Sequence, residues 1–180
     1  KTSITSLLII FCFSILTYAQ TPQDRATELK EQAQNSLKQK DYIKARYLFK
    51  KAYEAFAIRE NYPQAIECGV QANALYVREN FYKEGFELCR DMEQLLWTGE
   101  QNKKKVFYDL RFLINKERLQ MYTVLKNPAQ AKTQLDKLEE TANLAKNDSL
   151  TEMLLYTKAN YYYTFNQNTE GDACFRKLIN

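Results

Sequence analysis

Apolar positions in this chain recur at the three- and four-residue intervals that mark one face of an α-helix. The pattern is clearest in residues 41–52, where Tyr42, Ala45, Phe49 and Ala52 follow a polar turn residue. Small residues on such a stripe let a neighbouring helix approach closely, and the bulky residue fills the space between them. No segment alternates apolar and polar positions well enough to predict a β-strand. We therefore predict an all-α fold.

Turn and capping residues divide the chain into eight predicted helices. The first starts at Thr21-Pro22, as an N-cap residue followed by Pro at the first helical position. We expect Gly99 to end the fourth helix, because Gly often follows the last helical residue. The fifth is then predicted to run from Lys103 to about Leu125. Ser149 and Glu152 have the spacing of a capping box and are expected to start the seventh. The other turns are predicted at Lys40-Asp41, Asn61 to Pro63, Asn80, Asn127-Pro128 and Asn166 to Asn168.

The helices predicted at even-numbered positions have a common pattern. They start at Tyr42, Tyr82, Pro128 and Asn168. Each helix has a small residue three positions after its start, an apolar residue seven positions after it and another ten positions after it. A tyrosine lies six positions before the start in three of the four cases. The small residues are Ala45, Gly85, Ala131 and Gly171, the apolar ones Phe49, Cys89, Leu135 and Phe175, then Ala52, Met92, Leu138 and Leu178, and the preceding residues Ser36, Tyr76, Tyr122 and Tyr162. A repeat of this length indicates a solenoid.

This pattern resembles the tetratricopeptide repeat. The first unit is the most similar, although Leu29, Gln32 and Ala33 occupy the positions of the family's opening Trp-x-x-Leu-Gly. The units are also longer than the family's 34 residues. The resemblance implies a right-handed α-solenoid of about four antiparallel helical hairpins, and a generic helical bundle is the alternative. The expected repeat-packing residues are Tyr42, Ala45, Phe49, Ala52, Tyr76, Gly85, Tyr122, Ala131, Tyr162 and Gly171.

The same resemblance implies a concave binding groove lined by the first helix of each hairpin. The groove positions carry long polar, basic and aromatic side chains, which suit a protein or peptide partner. The basic members favour an acidic or carboxylate-bearing partner. The alternative for each residue is ordinary solvated helix surface. The predicted groove residues are Lys30, Gln34, Lys38, Arg78, Lys116, Gln120, Tyr156, Asn160 and Tyr163.

Residues 1–19 have the pattern of a signal peptide. Lys1 is followed by an apolar run over residues 7–16 and by Thr17-Tyr18-Ala19, which resembles a cleavage site. The run is short for a membrane span, and an uncleaved anchor is the alternative. We expect export to the periplasm or another extracytoplasmic part of a bacterial envelope. Residues 20–180 form the predicted repeat domain, which we expect to continue beyond residue 180 because its last helix lacks a polar cap.

The residues that most catalytic and metal sites require are missing from the sequence. The chain has 0 His, which removes Ser-His-Asp and Cys-His systems and histidine metal sites. It has no Cys-x-x-Cys and no glycine-rich phosphate loop. The net charge of +4 is small, and the run at residues 103–105 is the only basic cluster, which argues against nucleic-acid binding. We expect no enzymatic activity, cofactor or metal.

Three cysteines follow the predicted cleavage site, namely Cys68, Cys89 and Cys174. Cys68 and Cys89 lie on consecutive predicted helices at similar distances from their turn, which allows a disulfide between them. Spacing alone does not establish disulfide geometry, so we favour three buried thiols that act as small apolar residues.

Architecture and predicted export together resemble, loosely, the extracytoplasmic sensing segments of some bacterial signalling proteins. We therefore expect an exported protein-interaction module that forms the sensing or scaffold portion of a signal-transduction protein. The alternatives are a free-standing envelope assembly scaffold and a non-catalytic helical platform of a cell-wall enzyme. The identity of the partner or signal and the oligomeric state are not encoded in any motif of the sequence.

Overall fold

The computed structural model describes residues 22–179, and within them the chain forms eight α-helices and no β-strand. This confirms the all-α prediction. The predicted signal peptide and the N-cap expected at Thr21 lie outside the described residues. The helices are α1 (Pro22–Lys38), α2 (Tyr42–Ala57), α3 (Tyr62–Arg78), α4 (Tyr82–Lys103), α5 (Tyr108–Val124), α6 (Pro128–Ala145), α7 (Asp148–Thr164) and α8 (Asn168–Ile179).

Every connection between consecutive helices contains one residue in the left-handed backbone region. These residues are Lys40, Glu60, Asn80, Lys104, Lys126, Lys146 and Asn166. After α5, for example, Lys126 has a φ of 53° and the Asn127 N–H donates to the Tyr122 carbonyl at 2.9 Å. Such a turn satisfies carbonyls at the helix end and reverses the chain within a few residues. Short reversals of this kind place consecutive helices against each other.

The prediction that Gly99 ends α4 is wrong. Gly99 lies buried within the helix. The helix continues to Lys103, and Lys104 adopts the left-handed conformation that follows its last turn. A Cβ atom at Gly99 would lie 2.9 Å from ring atoms of Tyr62, so the glycine gives the ring access to the helix backbone. The predicted start of the next helix at Lys103 is wrong for the same reason, since α5 begins only at Tyr108.

The predicted capping box at Ser149 is also wrong. Helix α7 begins at Asp148, one residue before Ser149, and its N-cap is Asn147. The Asn147 side-chain oxygen accepts hydrogen bonds from the backbone N–H groups of Ser149 at 2.9 Å and Leu150 at 3.4 Å. Because the asparagine already satisfies these donors, the helix start needs no contribution from the Ser149 hydroxyl.

Helix α5 contributes to two apolar clusters. Its buried residues Ile114 and Met121 pack into a cluster built mainly from α1 to α4. Phe112 and Leu119, on another face of the same helix, pack into a second cluster with residues of α6 and α7. Both pairs have the seven-residue spacing that returns to one side of a helix after two turns. The helix therefore joins the two halves of the core.

Each helix packs against the next, and α5 additionally contacts α3 on one side and α7 on the other. Around α5, a helix therefore contacts the second helix along the chain as well as the next one. This arrangement gives α5 four helical neighbours, α3, α4, α6 and α7. The clefts that could hold a ligand lie beside it.

Candidate functional site

A cleft between α5 and α7, the α5–α7 cleft, brings together four of the predicted groove residues. Lys116 and Gln120 line it from α5, and Tyr156 and Asn160 line it from α7, in a volume of about 380 Å³. In both helices the two residues are four positions apart and therefore lie on one face. The remaining lining residues are Leu119, Thr123, Val124, Thr157 and Tyr161.

The α5–α7 cleft combines an apolar floor with polar edges. Leu119 and Tyr161 are buried at its base, whereas Val124 and Tyr156 are exposed. Lys116 is its one charged lining residue, and within residues 22–179 no carboxylate lies within ion-pair distance of the Lys116 amine. The cleft can therefore accept an apolar group beside an anionic or hydrogen-bonding one.

Two other predicted groove residues lie in a separate depression between α1 and α3. Lys30 and Gln34 line a volume of about 210 Å³ together with Glu67 and Cys68. The Lys30 Nζ atom donates to Gln64 Oε1 and to Glu67 Oε2, both at 2.8 Å. The amine is thus already paired within the protein and is less available to a ligand than that of Lys116.

The remaining predicted groove residues lie elsewhere, and two of them contact other parts of the chain. The Arg78 guanidinium lies 3.9 Å from the centre of the Tyr42 ring, which links α3 to α2. The Tyr163 hydroxyl bonds to Asp172, and this hydrogen bond raises the Tyr163 pKa above its ordinary value. Lys38 is exposed in the last turn of α1. The set as a whole does not form one continuous lining in the structure.

The predicted repeat-packing residues are buried or partly buried. Their small members leave room for neighbouring groups: a Cβ atom at Gly171 would lie 3.0 Å from the Tyr163 ring. Among the tyrosines, Tyr122 packs its ring against Phe86 with centroids 4.8 Å apart. Those fully buried are Ala45, Phe49, Ala52, Gly85, Ala131 and Gly171, and those partly buried are Tyr42, Tyr76, Tyr122 and Tyr162.

A second cleft, between α4, α5 and α6, was not predicted from the sequence. We call it the Trp97 cleft, and its volume is about 340 Å³. Trp97 on α4 and Leu144 on α6 line it with side chains that are 58% and 55% exposed. Both residues are apolar side chains on otherwise solvated helix faces, which is the one sequence signal that could have indicated it.

An ordered ion pair lies at one end of the Trp97 cleft. The Glu100 carboxylate, which is almost fully buried, accepts from the Phe107 N–H at 2.9 Å and from Arg111 Nε at 2.8 Å. Burial by itself raises the pKa of Glu100, but these hydrogen bonds and the Arg111 charge hold it below its ordinary value. Glu100 therefore stays ionised and fixes the connection between α4 and α5.

A buried polar pair joins α3 to α5. Asn73 Nδ2 donates to Glu117 Oε2 at 2.9 Å, and the two residues are 0% and 4% exposed. Burial raises the pKa of Glu117, opposed by the Asn73 hydrogen bond and the Lys116 charge. Both residues continue apolar stripes, Asn73 after Ile66 and Glu117 between Ile114 and Met121. A polar residue on such a stripe is the signal that could have found the pair.

The cysteines and carboxylates form no reactive or metal-binding group in the described part of the chain. Cys68, Cys89 and Cys174 are buried free thiols, and burial raises the pKa of Cys68 and of Cys89 to about 12. No cluster of three or more His, Cys, Asp or Glu side chains in residues 22–179 is placed to hold a metal ion. Among the same residues, no helix combines the length and apolar character needed to cross a membrane.

Comparisons with known proteins find no match to a family model, to a curated protein or to a solved structure.

Proposed function

We propose that this protein is an exported, tetratricopeptide-like interaction module that binds an extended peptide segment in the α5–α7 cleft. The supporting observation is that Lys116, Gln120, Tyr156 and Asn160, which the repeat pattern of the sequence predicts as groove residues, share one cleft. Side chains four apart on two neighbouring helices present a ladder of groups with the spacing that an extended segment can follow.

The chemistry of the cleft favours a peptide with an apolar side chain next to an acidic one. The floor offers Leu119 and Tyr161 to the apolar group. Lys116 offers a charge with no ion-pair partner in residues 22–179, and the Gln120 and Asn160 amides can bond to a peptide backbone, since each carries both donors and an acceptor. The affinity should fall as salt rises, because the charge is near the surface.

The biological setting follows from the predicted signal peptide. We propose that the module is the periplasmic sensing or scaffold portion of a signal-transduction protein, in a right-handed solenoid of four hairpins. A free-standing envelope scaffold and a non-catalytic platform of a cell-wall enzyme are the other settings. The reading frame downstream of residue 180 distinguishes them: a membrane span with a signalling domain supports the first, and N-terminal sequencing of the mature protein tests the export.

Selection of random peptides on the purified protein tests the binding proposal. Peptides recovered from a displayed library are synthesised and their binding measured by fluorescence anisotropy. We expect enrichment of acidic residues beside apolar ones, and at least a tenfold loss of affinity in Lys116→Glu and Tyr156→Ala. Lys177→Glu, which makes the same charge change on an exposed position of α8, is the matched control. Equal affinity of the parent and both cleft variants would show that the peptides bind elsewhere.

A second variant set addresses the groove as first predicted. Lys38→Glu/Arg78→Glu/Lys116→Glu changes three basic residues of the original set, of which Lys116 alone lies in the α5–α7 cleft. If Lys116→Glu alone reproduces the loss of the triple variant, the binding surface is the cleft. If Lys38→Glu/Arg78→Glu causes the loss, the surface extends over the first two hairpins.

A further inference from the structure

The Trp97 cleft is distinct from the proposed peptide site. It lies among α4, α5 and α6, whereas the α5–α7 cleft is lined by α5 and α7 only. The two clefts share no lining residue. The volume of the Trp97 cleft, about 340 Å³, is in the lower part of the range of small-molecule sites. A ligand in this cleft would therefore be small.

The walls of the cleft offer one flat apolar surface. The Trp97 indole is 58% exposed, although exposing so large an aromatic side chain forgoes the burial that would stabilise the fold. Leu144 stands on the opposite wall and is 55% exposed. Leu96 and Ile114 lie buried at the base. A ligand with one apolar face can therefore pack on the indole.

Charged groups of both signs line the cleft, namely Glu93, Glu100 and Glu140 with Arg111 and Lys137. Glu100 is bonded to Arg111, and Glu93 is paired with Arg118 at 2.7 Å. Lys137 and Glu140 add one charge of each sign from α6. A charged ligand would therefore share the cleft with groups of its own sign, and like charges in contact are unfavourable. The electrostatics therefore favour a ligand without net charge.

Hydrogen-bonding groups of both kinds surround that apolar wall. Glu140 provides acceptors, Lys137 and Arg111 provide donors, and Asn115 and Thr141 provide both. A ligand hydroxyl donates one hydrogen bond and accepts others, so adjacent hydroxyls can pair with neighbouring groups of opposite kind. A sugar ring has such hydroxyls along its edge and a face of C–H bonds that packs on an indole.

We propose that the Trp97 cleft binds a neutral saccharide of one or two rings, stacked on Trp97 and hydrogen-bonded to the polar groups of α5 and α6. This site does not depend on the proposed peptide binding. Trp97 is the single tryptophan of the chain, so it also reports directly on occupation of the cleft.

The test is a fluorescence titration of the whole protein. N,N′-diacetylchitobiose, cellobiose and maltose are added up to about 20 mM, because a small solvent-open site is expected to have a dissociation constant on the order of 1 mM. At least one of them should quench or shift the Trp97 emission in a saturable way, with an affinity unchanged by added salt. Glucosamine and glucuronate, which carry opposite charges, should bind more weakly.

Variants then locate the binding by calorimetry, which needs no tryptophan. Trp97→Ala and Glu140→Ala should each weaken binding at least tenfold, with unchanged circular dichroism. Tyr47→Ala and Glu152→Ala remove an exposed aromatic residue and an exposed carboxylate outside the cleft, and should bind as the parent does. Should Trp97→Ala unfold, Trp97→Phe replaces it and is expected to retain partial binding.

Three results would overturn the proposal. The first is that none of the three disaccharides changes the emission or releases heat. The second is that both cleft variants bind with the parent's affinity. The third is that a charged sugar binds more tightly than every neutral one. None of these bears on peptide binding, which is measured with other ligands and other variants.

Discussion

Glu117→Gln should stabilise the protein at neutral pH, although it replaces a residue that makes a buried hydrogen bond. Glu117 is 4% exposed and receives a hydrogen bond from Asn73 Nδ2. The other polar atom of that amide, Asn73 Oδ1, has no hydrogen-bond partner within residues 22–179. A glutamine keeps an acceptor for Asn73 Nδ2 and adds N–H donors, from which the unsatisfied oxygen can accept a hydrogen bond.

The groups that interact with Glu117 come from three helices. Lys116, beside it on α5, favours its ionised form, and the Cys89 thiol on α4 is held neutral partly by the Glu117 charge. From α3 only the Asn73 amide reaches it. Burial outweighs these effects and raises the Glu117 pKa above its ordinary value. At neutral pH the folded protein must therefore either bury the Glu117 charge or protonate its carboxyl group. Both lower the free energy of unfolding.

The sign of the pH dependence follows from this shift. Above the pKa of the unfolded chain, near 4.3, the unfolded state releases the Glu117 proton before the folded state does. The folded state then binds more protons than the unfolded state. The free energy of unfolding therefore falls as the pH rises from the unfolded-state pKa of Glu117 to its raised folded-state pKa. Glutamine does not titrate, and the variant's advantage should grow from about pH 4 to pH 7.

The expected gain at pH 7 is about 1 kcal/mol, the net worth of one buried hydrogen bond. For a chain of this size that raises Tm by about 3 °C. Urea denaturation followed by circular dichroism at several pH values gives the free energy of unfolding directly. Glu87→Gln, at an exposed position of α4, is the control and should change little at any pH. Glu117→Leu leaves the Asn73 amide unpaired and should lie about 1–3 kcal/mol below Glu117→Gln.

The reasoning is refuted if Glu117→Gln is less stable than the parent at pH 7, or if its advantage is the same at pH 4 and pH 7. The first result would mean that the carboxylate is better accommodated than its burial implies. The second would mean that Glu117 does not titrate differently in the folded and unfolded states.

Three further outcomes are expected. Ala45→Leu and Ala131→Leu should each lower the free energy of unfolding by about 1–3 kcal/mol, because both alanines are 0% exposed; unchanged thermal melts would argue against the repeat register. Cys68 and Cys89 should react with a thiol reagent only under unfolding conditions, since both are 0% exposed; fast labelling in buffer would contradict this. Lys126→Gly should raise the free energy of unfolding by about 0.5–1 kcal/mol by relieving its left-handed backbone, and a loss of stability would show that the lysine side chain is needed.

The helices could be predicted because their signals are local. Asn127 and Pro128 start α6 as expected, and the Asn127 side chain accepts from the Gln130 N–H at 3.2 Å. The same local rules failed at Gly99, whose position inside α4 depends on the ring of Tyr62, far away in sequence. The glycine at position 99 allows the Tyr62 ring to approach the helix backbone closely. The sequence of residues 95–103 does not distinguish such a glycine from one that ends a helix.

The candidate sites were less predictable because they depend on which helices meet. The repeat register placed four residues in the α5–α7 cleft, yet it also selected Arg78, which packs on Tyr42, and Tyr163, which bonds to Asp172. Long polar side chains on a helix face look alike in sequence whether they contact solvent, a ligand or another helix. The distinction requires the positions of the neighbouring helices, which no local pattern contains.

Four consecutive residues of α5 each have a different role. Asn115 lines the Trp97 cleft, Lys116 lines the α5–α7 cleft, Glu117 bonds to Asn73 and Arg118 pairs with Glu93. Since 3.6 residues complete a turn, these four side chains point around the whole circumference of the helix. Such a division of roles requires neighbours on every side, which only a helix between others has. It also means that a substitution at Lys116 can test the peptide site without altering the wall of the Trp97 cleft, so the two proposals stand or fall separately.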